Sequence, residues 1–328
     1  MSWTAVATAA VNGVAPPTGG LVVVRDRCGR DEALYAVVVE LERRGVTAVV
    51  DTAPDEVITR ILRTATPHVI EHFGTHRAAM LERADGVITI GAQKPDFSGV
   101  DEEVLRAFLR ARAVMGEVET RRRLPFLVVG VPTKRLADQL GRTITELDEL
   151  VLPALAVPQE VLAEAIRHKT AELRGRHWVL ESPGCRLTAD RGERPLLSDD
   201  GHVSEVDRER GATTSNLPAG SIYSTVVEES VEGTVRLDDG VVLGFEAGRV
   251  VDGPSELMGE RVSHIGIGLN PAARAMGWTL NDEHREGAVF LALGENRYLG
   301  GRNASTLNED FLVSQPHLAE RTGSVVTT

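Results

Sequence analysis

The first half of the chain alternates short apolar runs with longer stretches in which apolar residues recur at helical spacing. Residues 101–122 show the helical pattern clearly, since Val104, Phe108 and Ala111 share one face while charged residues occupy the other. Strands that alternate with helices are typical of a doubly wound α/β domain with a parallel sheet. The predicted strands are residues 21–25, 47–50, 86–91 and 125–129. The predicted helices are residues 31–44, 55–64, 67–83 and 101–122. Residues 136–173 are predicted to be mostly helical, with breaks at Pro153 and Pro158.

The pattern changes near residue 175, where short runs of β-branched residues separated by Gly, Asp and Pro turns replace the helical spacing. Residues 238–240, Asp-Asp-Gly, are a hairpin signal between two of these runs. We therefore predict an α/β domain, residues 1–174, followed by a β-rich α+β domain, residues 175–328. The predicted strands of the second domain are residues 177–181, 185–189, 221–227, 233–237, 241–246 and 249–251.

The stretch from His264 to Pro271, with the sequence HIGIGLNP, is interpreted as a histidine beside a glycine-punctuated turn. A helical patch is predicted at residues 270–276, because proline suits the first turn of a helix. The polar residues after His317 are expected to be mobile.

Composition narrows the functional classes. A chain of 328 residues is longer than the ~250 residues at which single cores stop growing, so two domains are expected. The net charge of −12 argues against a nucleic-acid partner, because phosphates require a basic surface. No run approaches the ~18 apolar residues of a membrane span, and the N-terminus does not resemble a signal peptide. Since Cys28 and Cys185 form no paired motif, we expect a reducing compartment, by default the cytoplasm.

Three common catalytic motifs are absent or weak. His68-Val-Ile-Glu-His72 matches the H-x-x-E-H zinc-peptidase pattern, and His76 extends the same helix face, but the segment lies between two predicted parallel strands. A partly exposed helix with three histidines is the favoured interpretation. The first strand is not followed by G-x-G-x-x-G, which argues against a dinucleotide, and no G-x-S-x-G elbow indicates a serine hydrolase.

Several short motifs occur in a fixed order in the second half. Together they resemble the thermophilic-type metallo-aminopeptidases, the aminopeptidase T and S relatives, and the related iron-dependent 2,5-dihydroxypyridine 5,6-dioxygenases. The resemblance covers about residues 175–315 and implies an aminopeptidase T type of β-rich domain, a divalent metal and a homodimer. The motifs are residues 216–223, 228–235, 245–250, 264–271, 292–294 and 300–310.

The resemblance also implies a site, which departs from the peptidase pattern. The segment after Pro218 contains no metal-binding glutamate, and the position of a peptidase histidine is occupied by Phe290. The dioxygenase pattern implies instead an Fe(II) facial triad of His264, Asn308 and Asp310, in which an amide replaces a histidine. Two ways of completing this site remain open: His284 or His317 replaces the missing ligand, or a substrate group does. Further cleft residues implied by the motifs are Gly220, Ser221, Phe290, Gly300, Gly301 and Ser305.

Two functional hypotheses follow. The first is a mononuclear metal enzyme, with Fe(II) or another divalent metal at His264 and Asp310, acting on a small aromatic or an amide or peptide-derived substrate. The second is a catalytically degenerate protein whose cleft binds a peptide or metabolite in a biosynthetic pathway. In the second case, exposed edges of the β-rich domain are suited to capture an extended peptide by strand addition.

Overall fold

The computed structural model describes residues 2–93 and 95–320. The helices are α1 (Trp3–Val14), α2 (Asp31–Arg43), α3 (Asp55–Thr64), α4 (Pro67–Glu71), α5 (Thr75–Leu81), α6 (Glu102–Arg122), α7 (Lys134–Leu140), α8 (Ile144–Leu155), α9 (Gln159–Glu172), α10 (Glu205–Arg210) and α11 (Thr279–Asp282), with short 3-10 helices at Ser255–Leu257 and Arg297–Leu299. The strands are β1 (Leu21–Asp26), β2 (Thr47–Thr52), β3 (Gly86–Ile90), β4 (Phe126–Val129), β5 (His177–Ser182), β6 (Cys185–Asp190), β7 (Leu197–Asp199), β8 (Thr214–Leu217), β9 (Ser221–Thr225), β10 (Glu232–Arg236), β11 (Val242–Glu246), β12 (Arg249–Asp252), β13 (Val262–Gly268), β14 (Val289–Gly294), β15 (Asn308–Leu312) and β16 (His317–Glu320).

The chain divides into two compact units. Unit 1 comprises residues 1–157 and 201–218, and unit 2 comprises residues 158–200 and 219–328. This division differs from the boundary at residue 174 that the sequence pattern suggests, for two reasons. Helix α9 buries Ile166 in the core of unit 2, and β8 pairs with β4 in the sheet of unit 1. A change in local periodicity reports neither of these tertiary contacts.

Unit 1 is built around a five-stranded sheet, sheet I, in the order β2-β1-β3-β4-β8. All four neighbouring pairs are parallel, and the four strands predicted from apolar runs are β1 to β4. In β1, Val22, Val23 and Val24 are all buried, as expected where both faces of a parallel sheet are covered. The predicted α/β class is therefore confirmed.

Unit 2 contains two antiparallel sheets. Sheet II has the order β12-β11-β10-β6-β5-β16, and sheet III has the order β15-β14-β13-β9-β7. Their apolar faces form one core, to which Leu187 and Phe245 contribute from sheet II and Ile265 and Leu291 from sheet III. The β-rich character predicted for this half is confirmed, and the predicted strands correspond to β5, β6 and β9 to β12.

Two helix predictions in unit 1 are corrected, and one further helix was not predicted. The predicted helix 67–83 is two helices, α4 and α5, separated at residues 72–74. Pro153 does not end a helix at its own position but lies in the last turn of α8, which ends two residues later at Leu155. The residues before the first predicted strand, for which no helix was predicted, contain α1, which buries Val6, Ala10 and Val11.

Three predictions in unit 2 are also corrected. Residues 264–268 are not a turn but belong to β13, in which every residue is buried. Residues 270–276 form no helix, and the helix that follows is α11. His317–Glu320 is β16, paired with β5, whereas the rest of the stretch predicted to be mobile, residues 321–328, lies outside the described residues.

Neither a membrane helix nor a disulfide contributes to the described fold. Within residues 2–93 and 95–320, no helix combines the length and the apolar character needed to cross a bilayer. Cys28 and Cys185 are both free. Burial raises the pKa of the Cys28 thiol to about 12, so it stays protonated at neutral pH.

Candidate functional site

The candidate site lies on the face of sheet III that is turned away from the core of unit 2. Ile265 and Ile267 of β13 point into the core, so the alternating residues of this strand point to the opposite face. Residues paired across neighbouring strands share a face, and the register defines three rows on it. The rows are Asp310, Ala292, His264 and Thr225; then Leu312, Phe290, Gly266, Tyr223 and Leu197; then Gly268, Ser221 and Asp199. We call this surface the polar face.

Two glycines of β13 allow other groups to lie directly on the polar face. A Cβ atom on Gly266 would lie 2.1 Å from Cζ of Phe290, so the phenyl ring packs on the strand itself. A Cβ atom on Gly268 would lie 2.4 Å from the carbonyl oxygens of both Glu283 and Arg285. The HIGIG sequence therefore lets residues 283–285 lie against the sheet at Gly268, next to the row that contains Gly266, Phe290 and Tyr223.

His264 and Asp310 are in direct contact. The Nε2 atom of His264 lies 3.2 Å from Oδ1 of Asp310, and the two side chains are 8% and 31% exposed. The imidazole ring also packs against Tyr223 and Phe290, with ring centroids 5.3 and 5.9 Å away. The structure thus brings together three residues that the sequence motifs singled out, His264, Phe290 and Asp310.

His284 lies among acidic side chains on the segment that covers Gly268. Its Nε2 atom is 3.5 Å from Oε1 of Glu283 and 4.0 Å from Oδ2 of Asp199. Among the described residues, neither ring nitrogen has a partner with good hydrogen-bond geometry, although the backbone of Gly220 is close enough to polarise the ring. Helix α11 packs against β15, which places this segment beside Asp310.

Burial shifts the protonation of this cluster towards neutral forms. It raises the pKa of Glu283 well above the ordinary value, and the nearby charges of Asp310 and Asp199 raise it further. Burial lowers the pKa of His284, and the same two carboxylates offset only part of this effect. The pKa of Tyr223 is also raised, chiefly by burial. These opposed shifts favour the protonated form of Glu283 and the neutral form of His284, and opposed shifts in neighbouring titratable groups are typical of sites that transfer protons.

The three-ligand iron site implied by the motifs is not assembled. Asn308 lies on the same face of β15 as Asp310, but its amide oxygen accepts a hydrogen bond from the hydroxyl of Tyr298 at 3.3 Å. Across the described residues, no group of three His, Cys, Asp or Glu side chains is arranged to hold a metal ion. His264 and Asp310 would supply two ligands to a metal ion, and a neutral amide would be a weak third. The side chains present therefore do not fit a facial triad, and the alternative ligand His284 contacts Glu283 instead.

Other predicted cleft residues have structural partners. The hydroxyl of Ser305 donates to Glu260 at 2.9 Å. A Cβ atom on Gly301 would lie 2.0 Å from Oδ1 of Asn296, so this glycine permits close packing within the protein rather than against a ligand. Gly300 ends the 3-10 helix before it, with φ of 84°.

The remaining predicted residues fall into two groups. Gly220 donates its N–H to the carbonyl of Asp199 at 2.8 Å, and Ser221 lies on the polar face paired with Asp199 and Gly268. His317, by contrast, is exposed on β16 of sheet II.

The H-x-x-E-H match has the character of a surface helix. Helix α4 is only five residues long, and the side chain of His68 is 83% exposed. His68 and His72 contact each other edge to face, with ring centroids 5.3 Å apart. The exposure expected for the three histidines agrees with this placement, since His76 is exposed as well, but they do not share one helix, because His68 lies in α4 and His76 in α5.

Sequence reasoning missed several groups of the cluster, notably Asp199, Tyr223 and Glu283. Asp199 is followed by Asp and Gly, a sequence typical of turns, and Tyr223 lies in a short predicted strand in which nothing marks it as a functional residue. The sequence offered one signal, which was for Glu283. This residue directly precedes His284, and an acidic residue beside a candidate ligand histidine is a natural hydrogen-bond partner for it. Only the strand register brings the other groups together.

Two solved structures share this fold. Wild-type AmpT from Thermus thermophilus aligns with a TM-score of 0.73 and 16% identity, over 96% of this chain and 94% of its own. The 2,5-dihydroxypyridine dioxygenase from Pseudomonas putida KT2440 aligns with a TM-score of 0.61 and 18% identity, over 97% of this chain and 93% of its own. At these identities the likeness shows a related fold, in agreement with the resemblance of the motifs. No protein-family model and no curated protein matches the sequence.

Proposed function

We propose that the polar face is the active site of an enzyme that acts on a small planar aromatic or amide molecule by proton transfer. The main support is the convergence of His264, Asp310 and the rings of Tyr223 and Phe290 on one face. Ligand sites commonly combine aromatic surface with a few polar groups that fix orientation. The proposal therefore assigns ligand orientation to His264 and Asp310 and ring stacking to the two aromatic residues.

The proposal assigns proton transfer to Glu283 and His284. Burial favours the protonated form of Glu283, which is a donor, and the neutral form of His284, which is an acceptor, so the pair is suited to both functions. Oε1 of Glu283 and Nε2 of His284 are 3.5 Å apart, which allows a proton to pass between the two side chains with a small adjustment. Both residues lie in the segment 283–285, which packs against the polar face at Gly268.

The substrate class follows from the site and from the two neighbours. An imidazole next to a carboxylate suits a ligand with hydroxyl or N–H groups, and the aromatic side chains suit a flat ring or an amide. One neighbour is named for 2,5-dihydroxypyridine, a flat ring with two hydroxyls. We choose this compound as the aromatic probe and leucine p-nitroanilide as the amide probe.

The experiment measures probe binding by calorimetry and turnover by absorbance for the wild type and Glu283→Gln. Glutamine keeps the volume and a hydrogen-bond donor but cannot exchange a proton. For a probe that is turned over, we expect binding within about threefold of wild type and turnover lower by about 100-fold or more. Glu286→Gln, an exposed change four residues from α11, is the matched control and should behave as wild type. Full turnover by Glu283→Gln, or failure of the wild type to bind either probe, would contradict the proposal.

A metal-dependent reaction is the second candidate. It is favoured by one observation: Oδ1 of Asp310 has no hydrogen-bond partner in the described residues although it lies 3.2 Å from His264. Two protein ligands plus a substrate group would then complete the site for Fe(II) or another divalent ion. This candidate expects turnover of 2,5-dihydroxypyridine only after anaerobic Fe(II) loading, and loss of bound iron in His264→Ala.

The same measurements also address a non-catalytic role. Tight binding of a probe without turnover, with and without Fe(II), would support a degenerate enzyme that presents a metabolite to other proteins. In that case Glu283→Gln should leave the affinity unchanged, because no proton is transferred.

A further inference from the structure

The hydroxyl of Ser263 lies between His264 and a backbone carbonyl. Its Oγ atom is 3.0 Å from Nδ1 of His264 and 3.1 Å from the carbonyl oxygen of Glu295. Ser263 is fully buried, so water does not compete for either contact. The side chain therefore has two partners but only one proton to donate.

Counting protons decides the direction of both hydrogen bonds. The Glu295 carbonyl can only accept, so it takes the serine proton, and Oγ is left as an acceptor for Nδ1–H of the imidazole. In the opposite arrangement Oγ–H donates to Nδ1, and the carbonyl loses the only side-chain donor that the described residues give it. The Nδ1–H tautomer forms two hydrogen bonds where the alternative forms one.

Asp310 does not reverse this preference. A carboxylate in line with Nε2 would favour Nε2–H through a charge-assisted hydrogen bond. Oδ1 is 3.2 Å from Nε2 yet has no hydrogen-bond partner among the residues that the structure describes, because it lies off the direction in which an Nε2–H would point. With Nδ1 protonated, the Nε2 lone pair and Oδ1 are two acceptors side by side.

We infer that Ser263 is a positioning residue that holds His264 as the Nδ1–H tautomer, so that Nε2 and Asp310 together accept hydrogen bonds from a ligand. This inference rests on the proposed function for the ligand and specifies its chemistry: the group recognised here is a hydrogen-bond donor, such as a ring hydroxyl or an N–H. A ligand whose donors are methylated should bind poorly even where its ring fits between the aromatic side chains.

The tautomer is measured directly by two-dimensional NMR of the full chain labelled with ¹⁵N-histidine, at a pH above the titration of ordinary imidazoles. We expect protonated Nδ1 and unprotonated Nε2 at His264 in the wild type, and a shift towards Nε2–H in Ser263→Ala. Ser224→Ala is the matched control, because Ser224 is an equally buried serine on the neighbouring strand that donates to the carbonyl of Pro195. It should leave the His264 tautomer unchanged.

The predicted preference for a hydrogen-bond donor is tested by comparing the affinities of 2,5-dihydroxypyridine and 2,5-dimethoxypyridine. We expect the dihydroxy compound to bind the wild type at least tenfold more tightly, and Ser263→Ala to reduce that preference about fivefold, the equivalent of one hydrogen bond. Ser224→Ala should keep the wild-type preference.

The outcomes separate this inference from the proposed function. An Nε2–H tautomer in the wild type, or an unchanged tautomer in Ser263→Ala, would overturn the positioning role whether or not the pyridine binds. An Nδ1–H tautomer without binding of any probe would refute the proposed function and leave the positioning role standing. If Ser263→Ala does not fold, the wild-type tautomer and the more conservative Ser263→Cys decide the question.

Discussion

Replacing Glu228 by glutamine should destabilise unit 2 at neutral pH, because this buried carboxylate neutralises two arginines. Glu228 is 3% exposed, and each of its oxygens lies 2.9 Å from the Arg194 guanidinium. Arg302 adds contacts from its side chain at 3.0 and 3.2 Å and from its backbone N–H at 2.7 Å. This network holds the loop that precedes β15, the strand that carries Asp310.

The magnitude follows from the pKa of Glu228. Burial alone would raise this pKa, but the hydrogen bonds from Arg194 and Arg302 outweigh burial and lower it from 4.5 to about 2. A difference of that size corresponds to about 3 kcal/mol. Since the side chain of Arg302 is 70% exposed, solvent screening reduces the value that we expect to about 2 kcal/mol.

The sign of the pH dependence is fixed by the direction of the shift. A carboxyl group whose pKa is lowered by folding stabilises the protein above its unfolded value, about 4.5, and loses this contribution as the pH falls towards 2. The difference in unfolding free energy between wild type and Glu228→Gln should therefore shrink over that interval. Urea unfolding at a series of pH values measures it.

The matched control is Glu229→Gln. Glu229 is the next residue and is 57% exposed, with contacts of 3.4 and 3.5 Å to Arg261 and Arg302. An exposed pair of this kind contributes less than about 1 kcal/mol. Equal stability losses in the two variants, or a loss in Glu228→Gln that stays constant between pH 5 and about 2.5, would refute the reasoning.

Three further predictions concern other parts of the chain. Burial raises the pKa of Asp55 to about 6, so the free energy of unfolding should fall as the pH rises from 3.8 to 6. Asp55→Asn should remove this fall, which amounts to at most about 3 kcal/mol in thermal unfolding, whereas the control Glu56→Gln should keep it. Gly268→Ala should lower the free energy of unfolding by at least about 2 kcal/mol, because the added Cβ would meet two backbone carbonyls. The control Gly116→Ala in α6 has open space and should stabilise the protein by up to about 1 kcal/mol. Equal effects of the two variants would refute the close approach at Gly268. Asn308→His should tighten Zn²⁺ binding about tenfold or more in a chelator competition, and no gain would mean that Asn308 and Asp310 do not converge on one ion.

Much of the fold was predictable because unit 1 and most of sheet II obey simple periodicities, whereas β13, β14 and β15 of sheet III were not predicted. The valines of β1 form an uninterrupted apolar run, as a strand of a parallel sheet requires, and the runs that became β5, β6 and β9 to β12 are bounded by turn residues. The return of the chain to sheet I through β8 was not predictable. Its sequence, Thr-Ser-Asn-Leu, is polar, and only pairing with β4 makes it a strand.

The candidate site was predictable only in part. His264 and Asp310 were identified from motifs, and the register of β13, β14 and β15 aligns them through Ala292. The same HIGIG motif was misinterpreted as a turn, because glycine is typical of turns when its neighbours in space are unknown. Here the glycines make room for Phe290 and for residues 283–285, which are distant partners that no local pattern reveals.

The central claim, that the polar face binds a small ligand, is tested most directly by following the histidine side chains during a titration with 2,5-dihydroxypyridine. The account predicts saturable changes at His264 and His284, whereas the exposed His68 and His72 stay unchanged. His264→Ala should abolish the saturation at His284. Changes confined to the exposed histidines, or no saturable change with either this compound or leucine p-nitroanilide, would contradict the account.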